Sequence, residues 1–272
     1  MTERVLLTGG AGKVARLLRP RLAQPGRVVR LVDVRTPDVM PPTPDEEVVI
    51  ASVDDLEAMT RAFVGVRAVI HMGGLSKEAP APDVLRLNAF GTWCVMEAAR
   101  LAGARVILAS SAHVVGFQST VDAPAAGIPA DAAARPDTLY GWSKAAGEAV
   151  GRLYADRYGM DVICLRIGSW TGAPPDLRGL AMWLSPDDGA RLVEACLAAH
   201  SPGFRIVWGI SRNSRRWCSL AEGEELGYFP RDNAEDFADD VIARCGKPDP
   251  DDETLVRLGG SWCGMPLGGA GS

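Results

Sequence analysis

An α/β fold is predicted, of Rossmann type: a doubly wound parallel sheet with a small C-terminal substrate-binding region. Three observations carry it. Short apolar runs alternate with longer amphipathic stretches, as buried parallel strands and their covering helices do. A glycine turn, Thr8-Gly9-Gly10-Ala11-Gly12, follows the first run. In the middle of the chain Tyr140-Gly-Trp-Ser-Lys144 sets a phenol and an ammonium four residues apart, on one face of a helix.

The runs at 4–8, 28–33, 48–50, 68–71, 105–109 and 161–166 are rich in Val, Ile and Leu and too short for helices, so each predicts a buried strand. Helical patterns at 84–101 and 138–158 lie between them, and ligands are expected at the carboxyl ends of the strands. After Gly168 the rhythm changes. Pro174-Pro175 and Ser185-Pro186 punctuate shorter helices, 204–209 predicts a strand returning to the sheet, and the glycine pairs 259–260 and 268–269 predict a loose tail. The expected division is 1–167 for a Rossmann domain and 168–272 for a mainly substrate-capping region.

Composition narrows the partners. The 272 residues suffice for one large domain with a full core, and a net charge of −5 argues against nucleic acid and anionic membranes. No apolar run reaches the roughly 20 residues a membrane span needs. Six scattered cysteines, with no CxxC pair, predict reduced thiols, no metal and a cytoplasmic location. A homo-oligomer is compatible with the sequence.

Gly10-Ala-Gly12-Lys13-Val14-Ala15 fits G-x-G-x-x-G/A directly after a strand. Such glycines let a pyrophosphate approach the next helix's N-terminus, where free N–H groups and the dipole favour anions. Asp33 ends the second strand, 21 residues after Gly12, where a carboxylate accepts from both ribose hydroxyls and repels a 2′-phosphate. NAD is therefore the expected cofactor, with Arg35 the group that would serve NADP. A cation beside a tyrosine favours phenolate, so Lys144 is expected to lower the pKa of Tyr140 and make it an acid/base.

These residues resemble the extended short-chain dehydrogenase/reductase (NAD-dependent epimerase/dehydratase) family. Its TGxxGxxG pattern reads Thr8-Gly9-x-x-Gly12-x-x-Ala15 here, and Ser110-Ser111 follows the fifth strand where that family places its serine. The blocks at 71–76, 166–169, 177–188, 207–209 and 230–235 are similar to bacterial uronate dehydrogenases, which oxidise C1 of a hexuronate with NAD. The resemblance implies Ser111, Tyr140 and Lys144 as catalytic residues. It implies cofactor contacts from Gly9, Gly12, Lys13, Val14, Asp33, Ser52, Val53, Met72, Gly73, Gly74 and Lys144, and substrate contacts from Ser76, Ser111, His113, Ser169 and Arg178. Arg178 is the expected partner of the substrate carboxylate.

Ser110, His71 and Asn88 are expected to be structural, and Trp142, Trp170 and Trp183 to be packing. The chain departs from the uronate enzymes at Ala112, where they carry asparagine, and at Ser52-Val53, where they carry Asp-Leu. Two rival readings are a sugar or nucleotide-sugar epimerase/dehydratase of the same family and a non-enzymatic NAD-sensing protein.

Overall fold

The computed structural model describes residues 3–37, 41–249 and 252–269. Strands β1 (Glu3–Thr8), β2 (Arg27–Asp33), β3 (Glu46–Ile50), β4 (Ala68–His71), β5 (Arg105–Ser111) and β6 (Val162–Ile167) form where the apolar runs predicted them. A two-residue pair, β7 (Ser169–Trp170) with β8 (Trp183–Leu184), stands apart from them. The returning strand β9 (Phe204–Gly209) completes a seven-stranded sheet in the order β3-β2-β1-β4-β5-β6-β9, every neighbour parallel.

Alternation along each strand sorts side chains to two faces. Val5, Leu7, Leu31, Ile70, Ile107 and Leu165 pack on one face against α1 (Lys13–Leu22), through Leu18 and Leu22. Leu6, Val32, Val69, Val106 and Leu108 pack on the other, against Met59 of α2 (Leu56–Ala62). Burying each such leucine contributes about 1.5–3 kcal/mol. That second face is also covered by a helical stretch running from α3 (Ala81–Val84) to α4 (Gly91–Ala102) and by α5 (Leu139–Tyr158). Further on, α6 (Gly179–Met182) precedes β8, and α7 (Pro186–Ala198) packs beside α1.

Between α3 and α4 the helix widens into a π turn over Leu85–Phe90, whose following Gly91 N–H reaches back five residues to the Arg86 carbonyl. The tail, expected to be loose, is instead strapped to the body. It runs beside residues 116–120, with Leu258 N–H donating to the Gln118 carbonyl at 3.0 Å and Gly259 N–H to the Gly116 carbonyl at 2.8 Å. Leu258 is fully buried, which anchors the strap hydrophobically. No helix among the described residues is long and apolar enough to cross a membrane.

Candidate active site

The strand order reverses between β1 and β4, and a cleft of about 470 Å³ opens at their carboxyl ends. Gly9, Gly12, Lys13, Val14, Asp33, Ser52, Val53, Met72, Gly73 and Gly74 all line it, as do Arg35 and Ser76. Gly12 N–H donates to the Gly9 carbonyl at 2.8 Å, which closes the turn tightly. Gly9 itself sits at φ +71°, and a Cβ there would lie 3.0 Å from the Met72 carbonyl oxygen. Asp33 is held in place by Ala11 N–H at 3.0 Å on one oxygen and Arg35 N–H at 3.3 Å on the other. A dinucleotide fits this cleft on two counts: a tight glycine turn lines it where the first helix begins, and a carboxylate ends the second strand.

A buried chain of hydrogen bonds runs beneath the cleft. Gly73 N–H donates to Thr8 Oγ1 at 2.8 Å, and that oxygen lies 2.7 Å from His71 Nδ1. On the other side His71 Nε2 meets Thr92 Oγ1 at 3.2 Å, and Thr92 donates to the Asn88 carbonyl at 2.5 Å. Every donor is used if Thr8 donates to Nδ1 and Nε2–H donates to Thr92. Burial, reinforced by Lys144, drives His71 down to about 3, so the ring is neutral. Asn88 accepts from Leu75 N–H at 2.8 Å and donates to the Leu75 carbonyl and to Ser143 Oγ. Both residues are structural: they tie the glycine turn to the 72–76 loop.

At the end of β5 the two serines divide. Ser110 donates at 2.5 Å to Glu148, which forms a buried ion pair with Arg166 at 2.8 Å, so it belongs to the scaffold. Ser111 caps the following turn by accepting from His113 N–H at 3.2 Å, and it opposes the rise in the Tyr140 pKa. Thr138 caps α5 by accepting from Gly141 N–H at 3.0 Å, which places Tyr140 in the first turn and Lys144 one turn later. Lys144 Nζ donates to the Ala109 carbonyl at 2.9 Å and lies 5.7 Å from the centre of the Tyr140 ring.

The electrostatics correct one expectation. Burial raises the Tyr140 pKa above its ordinary value and Asp137 pushes the same way, while Ser111 opposes them. Burial also lowers Lys144 to about 8. Desolvation disfavours phenolate and ammonium alike.

His113 and Arg178 gather around this pair. His113 Nδ1 lies 2.7 Å from the buried Asp137 carboxylate, and burial lowers its pKa against the pull of Asp137. Its ring stacks on Trp262 of the strap with centres 4.0 Å apart, and Trp262 meets Tyr140 edge-on at 5.8 Å. A side chain at either Gly116 or Gly259 would collide with the Asp137 carboxylate, so two glycines make room for it. Arg178 Nε donates to the Leu258 carbonyl at 2.6 Å, whereas its buried Nη2 has no partner among the described residues. Burial lowers the Arg178 pKa, with Asp176 opposing. A desolvated guanidinium N–H left without an acceptor is a ready place for an anion.

Ser76 lies in the cofactor cleft, and Ser169 pairs in register with Trp183. No hydrogen bond joins the Ser169 hydroxyl to the Tyr140 group among the described residues. Ala112 is buried in an apolar cluster with Val114, Ala181 and Met182. Trp170 and Trp183 are buried packing, and Trp142 is exposed.

The model of the NAD dependent epimerase/dehydratase family matches residues 5–219. The chain belongs to that family. It is also similar to a uronate dehydrogenase of Pseudomonas putida, 40% identical over 261 residues that cover 96% of this chain and 95% of the relative. The crystal structure of uronate dehydrogenase from Agrobacterium tumefaciens superposes with a TM-score of 0.90 at 36% identity, covering 97% of this chain and 98% of that one, and a mutant of it has been solved with NAD. An NAD-dependent glucose-6-phosphate dehydrogenase of Haloferax volcanii is 39% identical over 87% of this chain and 96% of its own length.

Within this family frame, Asp137 and Trp262 are site residues that the sequence reading missed. Asp137 looks like a helix-start residue beside Thr138, and Trp262 sits in a glycine-flanked tail; only the fold brings them to His113.

Proposed function

We propose that the protein is an NAD-dependent oxidoreductase that oxidises a hexuronate, glucuronate or galacturonate, at C1 to the aldarolactone. The observation that carries this reading is Arg178: its unpartnered buried Nη2, grouped with His113 and Asp137 beside Tyr140, is suited to a substrate carboxylate. Likeness to uronate dehydrogenases along nearly the whole chain supports it.

NAD, when bound, supplies the acceptor for the hydride leaving C1. Gly9, Gly12, Lys13 and Val14 would face its pyrophosphate, Asp33 its ribose, Ser52 and Val53 the adenine edge, and Met72, Gly73 and Gly74 the opposite wall. Tyr140 must first shed its own proton, and it is the phenolate form, which burial disfavours, that takes the proton of the anomeric hydroxyl as hydride leaves C1. Ser111 hydrogen-bonds the same sugar oxygen and holds it in line with Tyr140. Lys144, anchored on the Ala109 carbonyl, supplies positive charge beside the ring as the proton moves. His113, Ser76 and Ser169 are the proposed partners of the sugar hydroxyls.

The test is to mix the protein with NAD and, separately, glucuronate, galacturonate, glucose, galactose and glucose 6-phosphate, and to follow reduced nicotinamide. Accumulation with the uronates alone is expected. Turnover of glucose 6-phosphate in their place would move the anion from carboxylate to phosphate. Sugar isomerisation without net reduction of NAD would make the protein an epimerase.

A further inference from the structure

Glu78 lies at the end of the loop that lines the cofactor cleft, and it is buried. One of its carboxylate oxygens accepts from Tyr140 N–H at 2.9 Å. The other accepts from Leu139 N–H at 3.3 Å and from Gly268 N–H, in the strap, at 2.8 Å. No cation pairs with it among the described residues; backbone N–H groups and the N-terminal end of a 20-residue helix hold the charge. Ordinary capping does not explain the arrangement, because Thr138 already occupies the cap and satisfies Gly141. Glu78 reaches in from 61 residues upstream of Leu139 and ties on a third segment 190 residues away.

We propose that Glu78 is a positioning residue: it fixes the N-terminal turn of α5, and with it the stance of Tyr140, and fastens the strap that holds Trp262 against His113. One carboxylate thereby joins the cofactor loop, the proton-transfer residue and the substrate wall. Glutamine keeps the size, but it offers one acceptor where the carboxylate has two and turns an N–H₂ toward backbone donors. Glu78→Gln therefore loosens both contacts without opening a cavity.

The activity arm rests on the uronate reading, and a second arm does not. Arg257 is exposed on the strap, so the rate of tryptic cleavage after it reports strap opening in any buffer, with no substrate present. In Glu78→Gln we expect kcat to fall roughly tenfold or more, the uronate KM to rise by about as much, and cleavage at Arg257 to quicken about tenfold. Glu78→Asp should recover part of each. A chain ended at Pro266 keeps Glu78 and both helix contacts but lacks Gly268; it should show the faster cleavage and the raised KM with kcat within about threefold. This chain also decides the matter if Glu78→Gln does not fold. Native kcat, KM and cleavage rate in a folded Glu78→Gln protein, or an unaltered cleavage rate in the shortened chain, overturns the proposal. A wild-type protein inactive on uronates would overturn the substrate reading and leave the cleavage result to judge Glu78.

Discussion

The two ends of the sheet make an instructive pair. The amino-terminal end holds the larger hollow, about 770 Å³, lined by Arg67, Arg100, Arg105, Tyr158, Asp161 and His200 among others. Helices α4, α5 and α7 all finish there, leaving unpaired carbonyls and the negative ends of their dipoles. The cations answer those ends. Arg105 donates to the Cys196 and Leu197 carbonyls at 2.9 Å and pairs with Asp161, while Arg100 pairs with Glu97 and lies over the Tyr158 ring. The carboxyl-terminal end has the smaller cleft but the unsettled ionisation, a buried tyrosine and lysine driven toward neutrality. Among the described residues a buried guanidinium nitrogen without a partner stands at each end, Arg105 Nε at the amino-terminal end and Arg178 Nη2 at the other. The shifted ionisation of Tyr140 and Lys144 marks the working end better than empty volume does.

The contrast breaks or sharpens on four measurements. Tyr140→Phe keeps the ring and removes the proton acceptor, so kcat should fall a hundredfold or more with the melting temperature nearly unchanged. Near-native turnover would place the chemistry elsewhere. Arg178→Ala should cut kcat/KM for uronates by about 30- to 1,000-fold, the worth of a charge-assisted pair in a dry pocket, and Arg178→Lys should restore only part of it. Undiminished uronate turnover in Arg178→Ala sinks the carboxylate assignment.

Acid stability is the third measurement. The folded His71 pKa of about 3 lies below the unfolded value, so the unfolded chain binds the extra proton. Its contribution is complete above about pH 6.5 and is lost as pH falls toward 3, which amounts to about 2 kcal/mol between pH 7 and 5. Urea titrations at those two pH values should show that loss in the wild type and a smaller one in His71→Gln. Last and smallest, Arg105→Met at the quiet end should cost about 1–2 kcal/mol of stability and leave kcat/KM alone. A fall in kcat/KM there would erase the division between the two ends.

What the sequence disclosed follows from the range of each interaction. Strand runs and the glycine turn announce themselves because their signals are local and periodic, and Tyr140 and Lys144 do so because helical spacing alone puts them together. The seventh strand was legible in the apolar stretch at 204–209. Glu78, Asp137 and Trp262 were not, since each acquires its role from partners far along the chain: Gly268 for Glu78, His113 for Asp137 and Trp262. The tail misled for the same reason. Its glycines signal flexibility locally, yet one of them, Gly259, is what admits the strap against Asp137. The Tyr140 and Lys144 ionisation was misjudged because spacing gives the charge pair and says nothing of the surrounding desolvation.

The π turn at Leu85–Phe90 carries a consequence for how this chain can change over evolutionary time. A π turn is an α-helix carrying one residue more than its ladder needs. Deleting a single residue there would repair the helix and improve its regularity, and would also swing Asn88 by about 100° around the axis, away from the Leu75 backbone and Ser143. Lineages that lose the irregularity would gain a better helix and loosen the loop that lines the cleft. Mending the defect would disarm the site.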